Sequence, residues 1–237
     1  MKNRIDISFF LCMISIAFFL GVLPPVFTIR CVQELPPWLA LIFMTIPVQT
    51  AYILSCVLPA WKYCPDTPLR TVLDLAAPAK AHTPKIIFGT LGVYFALGGI
   101  SAGFVLLLKK FGVETRPQEA VEIIRNGTPA TIAVMIFAAA ILAPVGEELV
   151  FRHVITRKLE PLAGQATAAV AASLLFAMVH MNLQAFPALF LLGLWLTFLY
   201  RKTGSLVSAM LAHAVFNLTT ILILLIAVRA KDWFSVI

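Results

Sequence analysis

Charge is what this chain has least of. Asp, Glu, Lys and Arg make up 12% of its 237 residues, against about 25% in a soluble domain. With 61% hydrophobic residues, that scarcity excludes a soluble globular protein and a disordered one. It leaves an all-α integral membrane protein. Acidic residues are rarer still, eleven against eighteen Lys and Arg. A net charge of +7 would suggest nucleic acid in a soluble protein. Here the cations cluster between apolar runs, where they anchor loops to membrane surfaces. The expected partner is therefore the lipid bilayer, and no nucleic acid. Cysteine chemistry is also missing: Cys12, Cys31, Cys56 and Cys64 form no C-x-x-C pair and no metal-ligand pattern. Cys31 and Cys64 flank the second apolar run on opposite sides, so no disulfide is expected, and Cys12 and Cys56 read as small hydrophobes. Low-complexity segments and internal repeats are absent too, which argues against a carrier built from inverted halves.

What is there is a series of long uncharged runs. Asp6 to Arg30 encloses 23 residues, Glu34 to Lys62 27, Lys85 to Lys109 23, Arg125 to Glu147 21, Glu160 to Arg201 40, and Lys202 to Arg229 26. A helix needs about 20 residues to cross ~30 Å of hydrocarbon, so the longest run is two spans, with its turn at Asn182 and Gln184. The expectation is a polytopic helical bundle, a single membrane domain over 1–237 with about seven transmembrane spans. The first run is too long for a signal-peptide core and lacks a small-residue cleavage site, so it reads as a retained helix. With the N-terminus inside, eleven Lys and Arg lie on inner segments and seven on outer ones, which favours a cytoplasmic N-terminus in a plasma-membrane protein. Two connectors are long. Residues 62–85 carry Pro65, Pro68, Pro78 and Pro84; residues 109–127 contain the capping signature Thr115-x-x-Gln118, then Val121 and Ile124 on one face and a stop at Asn126-Gly127. The second reads as a short surface helix over the bundle or a plain connector.

Three segments break membrane-helix composition, all after residue 145. The first is Glu147-Glu148-Leu-Val-Phe-Arg152. Ionisable groups inside a membrane are expensive and mark functional sites. Glu148 and Arg152 are four apart in the order that favours an ion pair, whereas Glu147 points about 100° away and has no helical partner. Pro144 and Gly146 allow the helix to bend or break there. The second segment is Phe176-Ala-Met-Val-His180 and the third His213-Ala-Val-Phe-Asn217. His82 and His153 fall in connectors and have a weaker claim. Singly, each feature has a plain reading: a packing histidine, a structural ion pair, an amide that glues helices. Jointly, Glu147, His180, His213 and Asn217 put four polar side chains into three spans.

EExxxR, FxxxH and HxxxN, in that order, resemble the CPBP family of intramembrane endopeptidases, which includes CAAX proteases and bacteriocin-processing proteins. The motifs stand as Glu147-Glu148-x-x-x-Arg152, Phe176-x-x-x-His180 and His213-x-x-x-Asn217. The resemblance covers roughly 128–228, which would be the catalytic core; 1–127 would be variable spans and connectors. It implies hydrolysis of a peptide bond in a membrane-associated peptide or protein substrate, lipidated in the type II CAAX prenyl endopeptidases. Glu147 would be the catalytic carboxylate, His180 would help it activate water, and His213 and Asn217 would stabilise the oxyanion. Glu148, Arg152 and Phe176 would support them. A water nucleophile needs a base in hydrogen-bond reach, and donors aimed at an oxyanion are worth ~3–4 kcal/mol each. No cofactor is expected, although Glu147, His180 and His213 also form an acceptable zinc set; the H-E-x-x-H arrangement is absent. The rival reading is a non-proteolytic scaffold or a bacteriocin self-immunity protein acting by binding. Gly99-x-Ser101-x-Gly103 matches the nucleophile-elbow pattern but lies in a span, where close helix packing explains it better than a serine mechanism.

Overall fold

In lipid, a backbone can satisfy its polar groups only internally, so each apolar run must close into a helix. A computed structural model describes residues 2–21, 34–113 and 119–234, with side chains described over 5–17, 34–113 and 123–228. Its main helices are α1 (Lys2–Gly21), α2 (Pro37–Tyr63), α3 (Thr83–Lys110) and α4 (Glu119–Asn126). They continue with α5 (Pro129–Ala163), α6 (Gln165–Val179), α7 (Phe186–Thr203) and α8 (Leu206–Phe234). Among the described residues there is no strand. The turn expected at Asn182 and Gln184 lies between α6 and α7, where Asn182 Oδ1 accepts from the Ala185 N–H at 3.0 Å. Helix α4 ends at Asn126 as expected; Thr115 and Gln118 of its capping signature lie outside the described residues, as does Cys31.

The protein is a multi-pass helical membrane protein, but the count of about seven spans is not met. Four helical stretches among the described residues are long and apolar enough to cross a membrane: Pro37–Tyr63, Lys80–Lys110, Pro129–Ala163 and Leu206–Val228. Each of the seven predicted spans does contain a helix. Yet α6 has 15 residues, about 22 Å of helix at 1.5 Å per residue, short of ~30 Å of hydrocarbon. The described side chains of α1, Ile5–Ala17, form one apolar helix, and the last turn of α7 carries Arg201 and Lys202.

Helix α5 is the axis of the bundle, with α2, α8, α1 and α6 packed around it. Its helical structure continues through Pro144 and Gly146 without a break. It widens instead into two π-helical stretches, Ala138–Leu142 and Leu149–Thr156, on either side of the carboxylates. Proline cannot donate to the carbonyl four residues back and clashes with it; a π turn just before Pro144 relieves both problems. Side chains occupy the carbonyls these turns loosen. Asn217 Nδ2 donates to Ala139 O at 2.7 Å, and Thr156 Oγ1 to Phe151 O at 2.7 Å. Cys12 and Cys56 are fully buried and not disulfide-bonded to each other, their sulfurs 4.0 Å apart where α1 meets α2.

His153 is not in a connector. It is buried inside α5, against the loop that follows α2. There Asp74 adopts φ 55°, a left-handed conformation that Asp tolerates better than most residues. Its Oδ2 accepts from Arg157 Nη1 (2.7 Å) and Tyr200 OH (2.5 Å) and lies 3.2 Å from His153 Nδ1. Its carbonyl accepts from the Leu206 N–H at 2.9 Å, and Ser205 Oγ donates to Ala76 O nearby. Asp74 thus ties α5 and α7 through its carboxylate and α8 through its carbonyl, at one end of the bundle. Burial pushes the Asp74 carboxyl up, but hydrogen bonds from His153 and Tyr200, with the charges of His153 and Arg157, outweigh it and hold it below the usual range. A depressed carboxyl stabilises the fold above its unfolded-state pKa of ~3.9 and loses that contribution as pH falls through the lower folded value. Thermal unfolding in detergent should therefore show Asp74→Ala less stable than the parent at pH 7. The difference, on the order of 1–3 kcal/mol for hydrogen bonds to a charged group, should shrink below pH 4.

Candidate active site

Helix α5 carries Glu147 and Glu148 side by side but sends them to different neighbours. Glu148 is completely buried. Its Oε1 accepts from Arg152 Nη1 at 3.1 Å, one helical turn on, and from His213 Nδ1 of α8 at 2.9 Å. Arg152 is equally buried, so each face of its guanidinium needs a partner. Nη2 donates to Gly193 O of α7 at 3.3 Å, and the guanidinium carbon sits 4.4 Å from the centre of the Phe176 ring, a cation–π contact. Gly193 can offer that carbonyl because α7 presses on α6: a Cβ there would lie 2.8 Å from Ser173 Cβ. Phe176, fully buried on α6, meets Phe151, His180 and His213 edge-on, with ring centres 5.3, 4.8 and 5.7 Å away. The expected support residues Glu148, Arg152 and Phe176 form one buried assembly beneath the histidines.

Glu147 retains 12% of its side-chain exposure. Its Oε1 accepts from Gln49 Nε2 of α2 at 3.1 Å. Its Oε2 faces His180 Nε2 and His213 Nε2, each at 3.9 Å, and has no hydrogen-bond partner among the described residues. Those separations are too long for direct hydrogen bonds and suit a bridging water. An acceptor at each Nδ1 sets the ring tautomers. His180 Nδ1 lies 2.7 Å from Phe176 O, an atom that only accepts, so Nδ1 carries the proton and a neutral ring turns its Nε2 lone pair toward Glu147. His213 Nδ1 faces the Glu148 carboxylate in the same way. Asn217 stands farther along α8, with one amide hydrogen given to Ala139 O.

Two cavities meet at this point. One of about 370 Å³ runs between α2 and α5, largely apolar, past Thr45, Gln49 and Tyr52. The other, about 580 Å³, lies toward α3, α7 and α8 and includes Asn182, His213 and Asn217. Met135, Ala139, Ala143, Glu147 and His180 line both. Ser101 lines the larger cavity from the middle of α3, with no turn around it. Close packing does not account for its glycines: a Cβ at Gly98, Gly99 or Gly103 would meet nothing within 4 Å.

The structure thus gathers Glu147, His180 and His213 and places Asn217 one turn away. Two features escaped sequence reasoning. Glu148 was expected to serve Arg152 and also holds His213; Gln49 was not singled out, although an amide amid the apolar run from Glu34 to Lys62 was a visible signal. The zinc set has suitable donors, and a carboxylate behind His213 is a familiar outer partner for a metal-bound imidazole. Glu147 Oε2 lies 3.9 Å from both imidazole nitrogens, and among the described residues no group of three or more His, Cys, Asp or Glu is placed to hold a metal ion.

Residues 129–219, which carry this geometry, match the family model described as Rce1-like, type II CAAX prenyl endopeptidase Rce1-like. Over that segment the chain is similar to the CPBP/CAAX protease family. No curated protein and no solved structure matches the chain. The CAAX-protease segment starts at the head of α5 and ends two residues past Asn217, so it contains the whole Glu–His–Asn constellation and none of α1–α4. That similarity points to peptidase activity in a membrane setting. Removing one member of a buried ion pair typically costs about 3–5 kcal/mol, because the other charge is stranded. Glu148→Ala should lose stability on that scale in detergent unfolding. Glu148→Ala/Arg152→Leu should recover part of it.

Proposed function

We propose that the protein is an intramembrane endopeptidase in which Glu147 and His180 activate a water without a metal. The observation that carries this reading is Glu147 Oε2: buried, without a hydrogen-bond partner among the described residues, and facing two imidazole nitrogens at 3.9 Å. A water there would give one proton to Glu147 as its oxygen attacks the scissile carbonyl carbon, while His180 Nε2 holds its other proton. The negative charge would then collect on the carbonyl oxygen. His213 can donate to it from Nε2 as the imidazolium, with Glu148 as counter-ion, and Asn217 can offer its second amide hydrogen. Protonated Glu147 would pass its proton to the leaving amine, which closes the cycle.

The substrate in this reading is a membrane-associated peptide or protein, and the apolar wall of the smaller cavity suits a lipidated one. The setting is the plasma membrane, with the N-terminus on the cytoplasmic side.

Comparison of membrane-protein termini in cells carrying the parent protein, Glu147→Ala or His180→Ala should reveal cleavages present only with the parent. Both variants should purify folded and inactive. Cleavage that persists in either variant overturns the assignment. Asn217→Ala should lower turnover by about 10²–10³-fold, the usual loss for one oxyanion donor. Stoichiometric zinc in the purified protein, with turnover lost on chelation, would replace the metal-free mechanism.

A further inference from the structure

The constellation shared with the family lies on α5, α6 and α8, yet the hydrogen bond that aims Glu147 comes from α2. Gln49 is almost fully buried, 5% exposed. Its Nε2 donates to Glu147 Oε1 at 3.1 Å across 98 residues of sequence. The amide orientation follows from chemistry: if it were flipped, its oxygen would face a carboxylate oxygen, acceptor against acceptor. Gln49 Oε1 lies against the helix that carries the carboxylate, because Gly146 has no side chain. A Cβ on Gly146 would come 2.2 Å from Gln49 Oε1 and 3.3 Å from the Gln49 carbonyl oxygen. The residue just before Glu147 is therefore shaped to admit this amide.

We propose that Gln49 is a positioning residue for the reaction. It occupies Oε1 of Glu147, so that Oε2 alone is presented to the water, His180 and His213. A neutral amide suits this role because it supplies a directional donor without introducing a cation that would compete for the base. The plain alternative is an interhelical hydrogen bond that only holds α2 against α5. The two differ in what the loss of the amide does to Glu147 itself.

The inference rests on the proposed role of Glu147, so its first test needs no substrate. In purified protein, the carboxylate infrared band of Glu147 is the band lost in Glu147→Gln. Gln49→Leu, which keeps most of the volume, should shift that band while the unfolding midpoint stays close to the parent's. Gly146→Ala, which expels the amide, should reproduce the shift. Adding it to Gln49→Ala should change the band no further than Gln49→Ala alone, the non-additivity expected of two residues acting through one contact. An unmoved band in Gln49→Leu, or independent shifts that sum, overturns the proposal. On a substrate found by the comparison of termini, Gln49→Leu should lower kcat by about 10²-fold, typical of a misplaced catalytic group, with KM within about twofold. An unchanged kcat also overturns it. If the parent cleaves nothing, the protease reading fails, and the infrared cycle still decides whether Gln49 and Gly146 set the carboxylate.

Discussion

The buried carboxylate of Glu148 is the interaction on which the rest depends. One of its oxygens serves both the Arg152 guanidinium and the His213 imidazole, and water does not reach it. Two charges in such a place are tolerable only when each is held on several sides. Arg152 meets that condition through the Gly193 carbonyl and the Phe176 ring. α5, α6, α7 and α8 are thereby joined at one point, and the catalytic histidines of the proposed mechanism sit on the same ring cluster. The packing around the charge and the orientation of the chemistry have one cause.

Much of the constellation was legible in the sequence because helix periodicity maps onto space directly. The Glu148–Arg152 pair followed from a spacing of four. Glu147, His180 and His213 stood out because ionisable groups are so rare in apolar runs. Lateral partners were harder to see. Nothing in the local pattern says that Gln49, nearly a hundred residues earlier, faces Glu147, or that Asp74 gathers His153, Arg157 and Tyr200. His153 looked like a connector residue because the charges of Arg152, Arg157 and Lys158 suggested the helix was over. Those charges are instead absorbed by Glu148, Asp74 and Asp6. Counting uncharged residues located a helix for each of the seven expected spans, but among the described residues only four helical stretches are long and apolar enough to cross, because an uncharged run does not say where a helix starts or stops.

The two polar nodes divide the labour along α5. Near its middle, Glu147 and Glu148 face cavities and histidines. Toward its C-terminal end, Asp74 fastens the same helix to α7 and α8 through groups that take no part in the proposed chemistry. The helix that carries the proposed base is thus held beyond the site, which keeps Glu147 from drifting when the cavities fill.

The π turns of α5 have a consequence of a different kind. A residue in a helix advances its neighbours by about 100° around the axis, and a π turn holds one more residue than an α turn. The stretch Ala138–Leu142 therefore acts as a phase shifter between the head of the helix and its carboxylates. At that place the chain is constrained in the number of its residues. One residue fewer would rotate Glu147 and everything after it out of register with Gln49, His180 and His213 together.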